Sequence, residues 1–417
     1  METKYKLTCV DCGKVYQSDE VEYVCPLCSS TQRPLTPTQG ILRVDYDYAA
    51  LRNTFSATLK KNLMRGHGRY LALLPLNDVS SLPPLDVGPT PLCEVLRLRQ
   101  ATGLNKLFVK NDTTLPTGSF KDRASSIVVA KAKELKKKVI TTASTGNAAT
   151  ALAGMAASVG MGTVIFVPHN APQAKLAQIA MFGAKLVVVK GTYDEAFELS
   201  KQSTEKYGWY NRNTGFNPYT IEGKKTAALE IWEQLGYKAP DKVFIPTGDG
   251  VILTGTYKGF YDLKKLGLIK KIPQIIPVQA VGSAAIVNAL KSGRDQIVPL
   301  KKSQTIADSI SVMAPACGNW ALSIVRDTLG FGLTVTDKEI LTAIKELAGL
   351  TGIFAEPAAA TAYAGLKKAQ RFHKIKRDET VVVLITGTGL KDIPTAMKAI
   401  TIPAAVEVKI CSERVVW

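Results

Sequence analysis

An α/β architecture with parallel-rich sheets is predicted by two features of the chain. Short, continuously apolar strand segments alternate with helical ones from residue 107 onward, and glycine-rich polar turns follow several of those strands. A third feature, two closely spaced cysteine pairs near the amino terminus, sets a small zinc ribbon ahead of that body. The chain has 417 residues, 46% of them hydrophobic, which excludes a mainly disordered protein and leaves room for two to three domains. Fifty-three Lys and Arg against 35 Asp and Glu give a net charge of +18. That balance admits nucleic acid, an anionic membrane surface or phosphorylated small molecules as partners without choosing among them. The lysine groups at 133–138, 264–265 and 270–271 stand beside apolar residues, as solvated helix faces do.

The elements follow in order. Cys9, Cys12, Cys25 and Cys28 form two C-x2-C knuckles, each offering two thiolates on a tight turn, and together they can close a tetrahedral zinc site. Gly13 and Pro26 supply turn geometry. The polar start, Met1 to Thr8, does not resemble a secretory signal, so a reducing, cytoplasmic setting is expected and disulfides are disfavoured. With no open coordination position in the pattern, the metal is expected to hold structure. The zinc ribbon is assigned to 1–40, a connecting segment to 41–84, a catalytic domain to 85–402 and a tail to 403–417.

Strands are predicted at 107–110, 139–143, 163–168, 186–189, 208–211, 242–246, 274–280, 333–335 and 381–385. Helices are predicted at 147–159, 172–182, 193–207, 222–235, 337–348 and 358–370. Residues 139–168 carry no charge, yet the run is rich in Ala, Gly and Thr and ends in Val164-Ile165-Phe166-Val167. It reads as a small-residue helix before a buried strand rather than a membrane span. In open α/β sheets ligands sit beyond the carboxyl ends of strands. The turns to inspect are therefore 142–147, 246–250 and 386–389, together with the polar cluster 116–123.

Gly248-Asp249-Gly250-Val251-Ile252 leaves a strand and enters a helix, a setting that presents backbone N–H groups to an anion such as phosphate. It has neither the lysine of a P-loop nor the spacing of a dinucleotide fingerprint. Lys121, between Phe120 and Asp122, reads either as a surface charge or as an active amine, with Asp122 and Arg123 as a pair that orders the turn. Only three histidines exist, His67, His169 and His373, none in a nucleophile setting, so proton transfer falls to Lys, Asp, Glu or Tyr.

The run PTGSFKDR, then STGNAA, the GDG turn, EPAAA and TGTGLKD together resemble the fold type II pyridoxal-phosphate enzymes, and within that group the threonine synthases. The likeness covers roughly 84–396, and zinc-ribbon-like starts occur in some of that branch. The resemblance implies a two-part catalytic domain whose smaller part spans about 124–211, a soluble homodimer, and the conversion of O-phospho-L-homoserine and water to L-threonine and phosphate. It implies that Lys121 carries pyridoxal phosphate in imine linkage and shuttles protons, and that Asn147 bonds the cofactor's 3′-oxygen. Gly248, Asp249, Gly250, Val251 and Ile252 would cradle its phosphate, and Thr386 would meet the pyridine nitrogen. Ser144, Thr145 and Asn147 would hold the substrate carboxylate, with Asn213, Thr214 and Lys224 on its phosphate side. Many members carry an arginine where this chain has Thr220; Lys224, Lys225 and Arg212 are the candidates to replace it.

The rival readings are cysteate synthesis from phosphoserine and sulfite, serine or threonine dehydration, and, in a different class, a zinc-ribbon nucleic-acid-binding protein. The last is opposed by the strand-turn-helix motifs and the absence of an aromatic-studded basic stretch. Glu356 before Pro357 is read as a carboxylate complementing a helix start. Asp308 receives no role, and Cys317 is read as a buried thiol near the cleft.

Overall fold

The computed structural model describes residues 4–144, 146–169, 173–191, 193–403 and 405. Three sheets organise it. Strands β1 (Tyr5–Cys9), β2 (Val15–Gln17) and β3 (Leu42–Tyr46) form an antiparallel sheet in the order β2-β1-β3 around the cysteine knuckles. β3 lies in the segment read as a connector, yet it pairs along the whole of β1, with Tyr5 opposite Tyr46 and Cys9 opposite Leu42. Its alternating burial, with Leu42, Val44 and Tyr46 inward, explains the pairing.

The second sheet contains β4 (Leu92–Glu94), β5 (Lys106–Asn111), β10 (Lys242–Pro246), β11 (Gln274–Ala280), β12 (Leu333–Val335) and β13 (Thr380–Ile385), in the order β12-β11-β10-β13-β5-β4. All pairs are parallel except β4 on β5. The third is a parallel four-stranded sheet, β8-β7-β6-β9, from β6 (Val139–Ala143), β7 (Gly162–Pro168), β8 (Lys185–Val189) and β9 (Tyr210–Asn211). β10 and β13 are apolar throughout apart from their first residues, as strands covered on both faces must be. The Pro357–Arg371 helix turns Ala358, Ala359, Ala360, Ala362 and Gly365 inward, and a Cβ at Gly365 would meet Val278 at 2.4 Å. Small side chains let this helix lie close on the sheet.

The uncharged run becomes β6, the Asn147–Ala157 helix and β7, and no helix among the described residues is long and apolar enough to cross a membrane. β9 is shorter than expected because Gly208 sits at φ +68, which ends an extended run. The 222–235 helix begins earlier, as Tyr219–Lys224 followed by Thr226–Gln234, with Lys225 at φ −62, ψ −23 keeping the backbone helical between them. Adjacent strands β5, β13 and β10 end on one edge of the large sheet, so the turns after Asn111, Pro246 and Ile385 gather where ligands collect in such folds.

Candidate active site

Lys121 opens the Lys121–Glu134 helix. The turn before it is locked from both sides. Thr117 donates its N–H and hydroxyl to the two carboxylate oxygens of Asp122, at 2.7 and 2.5 Å. Phe120 N donates to Thr386 O at 2.8 Å and Thr388 N to Gly118 O at 3.0 Å, tying this turn to the 386–389 turn. Burial lifts the Asp122 carboxyl to about 6. Asp122 and Arg123 are therefore not each other's partners, which corrects the pairing read from sequence. Arg123 is fully buried and bonds Asp112 and Glu230 in two bidentate pairs, with Lys110 adding a 2.6 Å contact to Glu230. This charge-balanced quartet anchors the helix two residues after Lys121.

The Lys121 amine itself makes no hydrogen bond or ion pair among the described residues and keeps some solvent contact. Burial pulls its pKa below the ordinary lysine value; Glu356 and Asp249 pull it back, and Arg212 adds to the drop. A lysine so placed can be neutral and nucleophilic at moderate pH.

The 248–252 turn faces the same place. Gly250 has φ +83, and a Cβ on Gly248 would stand 2.8 Å from Ile310 Cα, so both positions demand glycine. Asp249 O accepts from Cys317 N at 2.8 Å, which fixes the turn from outside. The 15-residue Val251–Lys265 helix then begins, with first-turn N–H groups that have no intrahelical acceptor. Burial raises the Asp249 carboxyl, against the pull of Lys121, Lys224 and Arg212. Cys317 is buried as read, and burial pushes its thiol up to about 12.

Across the cleft, Asn147 begins its helix and donates Nδ2 to both oxygens of Glu356 at 3.0 Å. Glu356 does precede Pro357 at a helix start, but its side chain makes no cap hydrogen bond. Its carboxylate belongs to the cleft instead, a role the sequence reading missed although the EPAAA motif contains it. Asn147, Glu356, Asp308 and Ser309 share a cavity of about 110 Å³. Ser144 accepts from Gly146 N at 3.2 Å, and Thr386 is buried. Thr145 lies outside the described residues.

The phosphate-side candidates separate. Asn213 uses its carboxamide within the framework, accepting from Thr142 Oγ1 and Ala143 N and donating to Ser200 Oγ. Thr214 accepts from Arg212 Nη1. Thr220 turns its hydroxyl back to Asn217 O at 2.8 Å. Lys225 is engaged by Glu222 and by Asp262 at 2.8 Å. Lys224 is fully buried and its Nζ has no hydrogen-bond partner among the described residues.

The sulfurs of Cys9, Cys12, Cys25 and Cys28 all lie within 4.8 Å of one another, with Cys9–Cys28 and Cys12–Cys25 at 3.8 Å. A tetrahedral ion at about 2.3 Å from each sulfur sets ligand edges near 3.8 Å, so the cluster could hold a metal. Tyr16 brings its hydroxyl to 3.0 Å from Cys25 Sγ. Val10, between the first two cysteines, packs with Ile41, Ile221, Val251 and Cys317, so the ribbon leans on the helix that leaves the 248–250 turn.

Pyridoxal phosphate matches this site. An amine with no hydrogen bond or ion pair among the described residues, as at Lys121, is a group that could take up its aldehyde, and a glycine turn at a helix start is one that could take its phosphate. Ser119 Oγ and Lys224 Nζ, both buried without a hydrogen-bond partner, are groups that a polar ligand would satisfy.

Comparison with known proteins agrees. The family model described as pyridoxal-phosphate dependent enzyme matches residues 84–387. The threonine synthase of Methanocaldococcus jannaschii is 37% identical over 400 residues, covering 96% of both chains. That of Methanosarcina acetivorans is 38% identical over 409 residues, covering 97% of both. Among solved structures, the processed threonine deaminase isoform 2 of Solanum lycopersicum superposes with TM-score 0.64 at 26% identity, over 74% of this chain and 86% of that one. Maize serine racemase gives TM-score 0.63 at 25% identity, over 74% and 91%. The shared motifs, the sheet topology and these matches have one explanation: the chain belongs to the pyridoxal-phosphate dependent enzymes and, within them, to the threonine synthase family.

Proposed function

We propose that this protein converts O-phospho-L-homoserine and water to L-threonine and phosphate with pyridoxal phosphate bound at Lys121. The observation that carries the reading is the solvent-touched, partnerless Lys121 amine beside the glycine turn of the Val251–Lys265 helix. Full-length relatives bearing the threonine synthase name support it.

Bound pyridoxal phosphate supplies an electron sink for negative charge at the substrate's Cα. Lys121 removes the Cα proton and, on its flexible stem, reaches Cβ, where a proton leaves before phosphate departs from Cγ. Protons then return to Cγ and Cα, and water adds its hydroxyl at Cβ while its remaining proton goes to the released phosphate. Burial lowers the Lys121 pKa below the ordinary lysine value, which raises the share of free amine at a given pH. Gly248, Asp249, Gly250, Val251 and Ile252 hold the cofactor phosphate by backbone N–H groups at the helix start. Thr386 presents a neutral hydroxyl to the ring nitrogen. Asn147, freed from Glu356, turns its carboxamide to the cofactor's 3′-oxygen, and Ser144, Thr145 and the start of the Asn147–Ala157 helix take the substrate carboxylate. Asn213 and Thr214 shape the phosphate end, Asn213 by bracing the end of β6. The part carrying the four-stranded sheet, about 124–211, closes on substrate. The four thiolates of Cys9, Cys12, Cys25 and Cys28 hold a structural Zn²⁺.

The test is a product assay offering phosphohomoserine, phosphoserine with sulfite, threonine and serine separately. Threonine and phosphate should appear from the first alone. Turnover only of phosphoserine with sulfite would replace this reading by cysteate synthesis.

A further inference from the structure

The glycine turn at 248–250 is braced by a second turn, 315–318, closed by Gly318 N donating to Pro315 O at 2.9 Å. Cys317 N donates to Asp249 O at 2.8 Å, and Ala316 N reaches Asp249 Oδ1 at 3.5 Å. A Cβ on Gly250 would stand 3.1 Å from Cys317 O, so the two turns lie against each other. The backbone at Asp249 and Gly250 therefore depends on where Ala316 and Cys317 sit.

The support for 315–318 comes from the other end of the chain. Thr38 N donates to Ala316 O at 2.9 Å. Two residues on, Gly40 is gripped by both cysteine knuckles. Its N–H donates to Asp11 Oδ2 at 2.6 Å, and its carbonyl accepts from Cys25 N at 2.8 Å. Gly40 has φ +77, and a Cβ there would stand 2.8 Å from Cys25 O, so the fit demands glycine. Val10 N then donates to Ile41 O at 2.9 Å.

Packing repeats the connection. One apolar cluster joins Val10 of the first knuckle, Ile41, Cys317 and Val251, the first residue of the helix that leaves the 248–250 turn. Dense packing transmits a displacement of one member to the others. Cys9 and Cys12 belong to one knuckle and Cys25 and Cys28 to the other, so an ion held by all four sulfurs joins the two groups that grip Gly40.

We infer that the ribbon is a positioning element for the 248–250 turn, with Asp11 as its positioning side chain. Closing the four-cysteine cluster fixes Gly40, Thr38 and Ala316 in series, and so holds the Asp249 and Gly250 backbone in the geometry that receives a phosphate. This inference rests on the reading of 248–252 as the cofactor-phosphate turn. Asp11 is exposed and acts through Gly40. Such coupling is reciprocal: the factor by which metal tightens the cofactor is the factor by which the cofactor tightens the metal.

The test uses full-length protein loaded with Zn²⁺, counted by a chromogenic chelator, and compares the parent with Asp11→Ala and Asp11→Asn. Cofactor-free protein is titrated with pyridoxal phosphate and, separately, with unphosphorylated pyridoxal, followed by visible absorbance. Zinc removal should weaken pyridoxal phosphate by about 5- to 100-fold and pyridoxal far less. Asp11→Ala with its zinc in place should cost about 2- to 10-fold. Asp11→Asn keeps an oxygen for Gly40 N and should recover most of that loss. Bound pyridoxal phosphate should raise zinc affinity by the same factor that zinc removal costs. Hydrogen exchange should quicken at 38–41, 248–252 and 315–318 when zinc leaves, with the large sheet unchanged. Unaltered pyridoxal phosphate affinity in folded, zinc-free protein overturns the inference. An equal loss for pyridoxal overturns it too, since that reports general loosening. A parent protein that takes up no pyridoxal phosphate would overturn the reading of 248–252 as the cofactor turn, while hydrogen exchange there still decides whether the ribbon positions it.

Discussion

Lys224 and Lys225 are neighbours in sequence and both 0% exposed, yet the structure treats them in opposite ways. Lys225 sits under Tyr46, its Nζ 4.3 Å from the ring centroid, among Glu222, Asp262 and Lys258, where two amines meet two carboxylates. The Tyr46 and Tyr48 hydroxyls donate to those carboxylates at 2.5 and 2.7 Å, so this region is closed and serves to dock the ribbon's third strand on the catalytic body. Lys224 lies instead within reach of Arg212, Lys121 and Asp249, and its Nζ has no hydrogen-bond partner among the described residues. Burial of charge alone does not mark a functional site, because a charge-balanced network is structural. A buried amine with no hydrogen-bond partner among the described residues, as at Lys224, is not accounted for by such a network.

The largest expected effect lies in the incomplete region. Lys121→Ala should lower threonine formation by about 10²- to 10⁴-fold and abolish the borohydride-sensitive cofactor absorbance, while chemical denaturation stays close to that of the parent. Parent-rate turnover by that variant would remove Lys121 from the reaction. In the closed region the effect should fall on stability. Lys225→Met leaves Glu222 and Asp262 sharing Lys258 and should cost about 3–5 kcal/mol in denaturant unfolding. Lys224→Met, which deletes a buried amine with no hydrogen-bond partner among the described residues, should leave the unliganded protein as stable or more so. Equal losses at both positions would dissolve the contrast.

A smaller effect should appear in acid. His67 is buried beside Thr226, against Arg123 and Glu230, and burial holds its pKa at about 3 instead of 6.5. Between those values the unfolded chain binds the proton and the folded one does not, so stability rises with pH across that window and is lost as pH falls through it. His67→Gln should flatten this portion of the stability–pH curve; an unchanged slope would show that other groups control it. The smallest global effect is expected at the ribbon. Metal removal by a chelator should raise hydrogen exchange around residues 9–28 while β3, held through Tyr46 and Tyr48, and the large sheet keep their protection.

Much of the molecule was legible from residues alone. Strands such as Val139–Ala143, Lys242–Pro246 and Gln274–Ala280 are apolar runs bounded by turns, and their limits match the expected ones. The glycine turn at 248–250 was legible because backbone needs at Gly248 and Gly250 restrict the residue type; Lys121 stayed open between a surface charge and an active amine, and only the family resemblance implied its role. Strand β3 was not, since a five-residue alternation means little until β1 is beside it. The Lys121–Glu134 helix was likewise hidden, because its buried Asp122, Arg123 and Lys131 imitate a solvated face. Glu356 was recognised at its helix start, but that its carboxylate meets Asn147, 209 residues away, required the fold.

The parallel strands, the four-cysteine spacing and the glycine turn at 248–250 were therefore determined by the sequence by itself, because each depends on local periodicity or on backbone geometry only certain residues tolerate. Which charges cancel was decided by the tertiary structure alone. Coulomb partners are chosen by distance in space, and of two adjacent buried lysines one meets carboxylates while the other has no hydrogen-bond partner among the described residues.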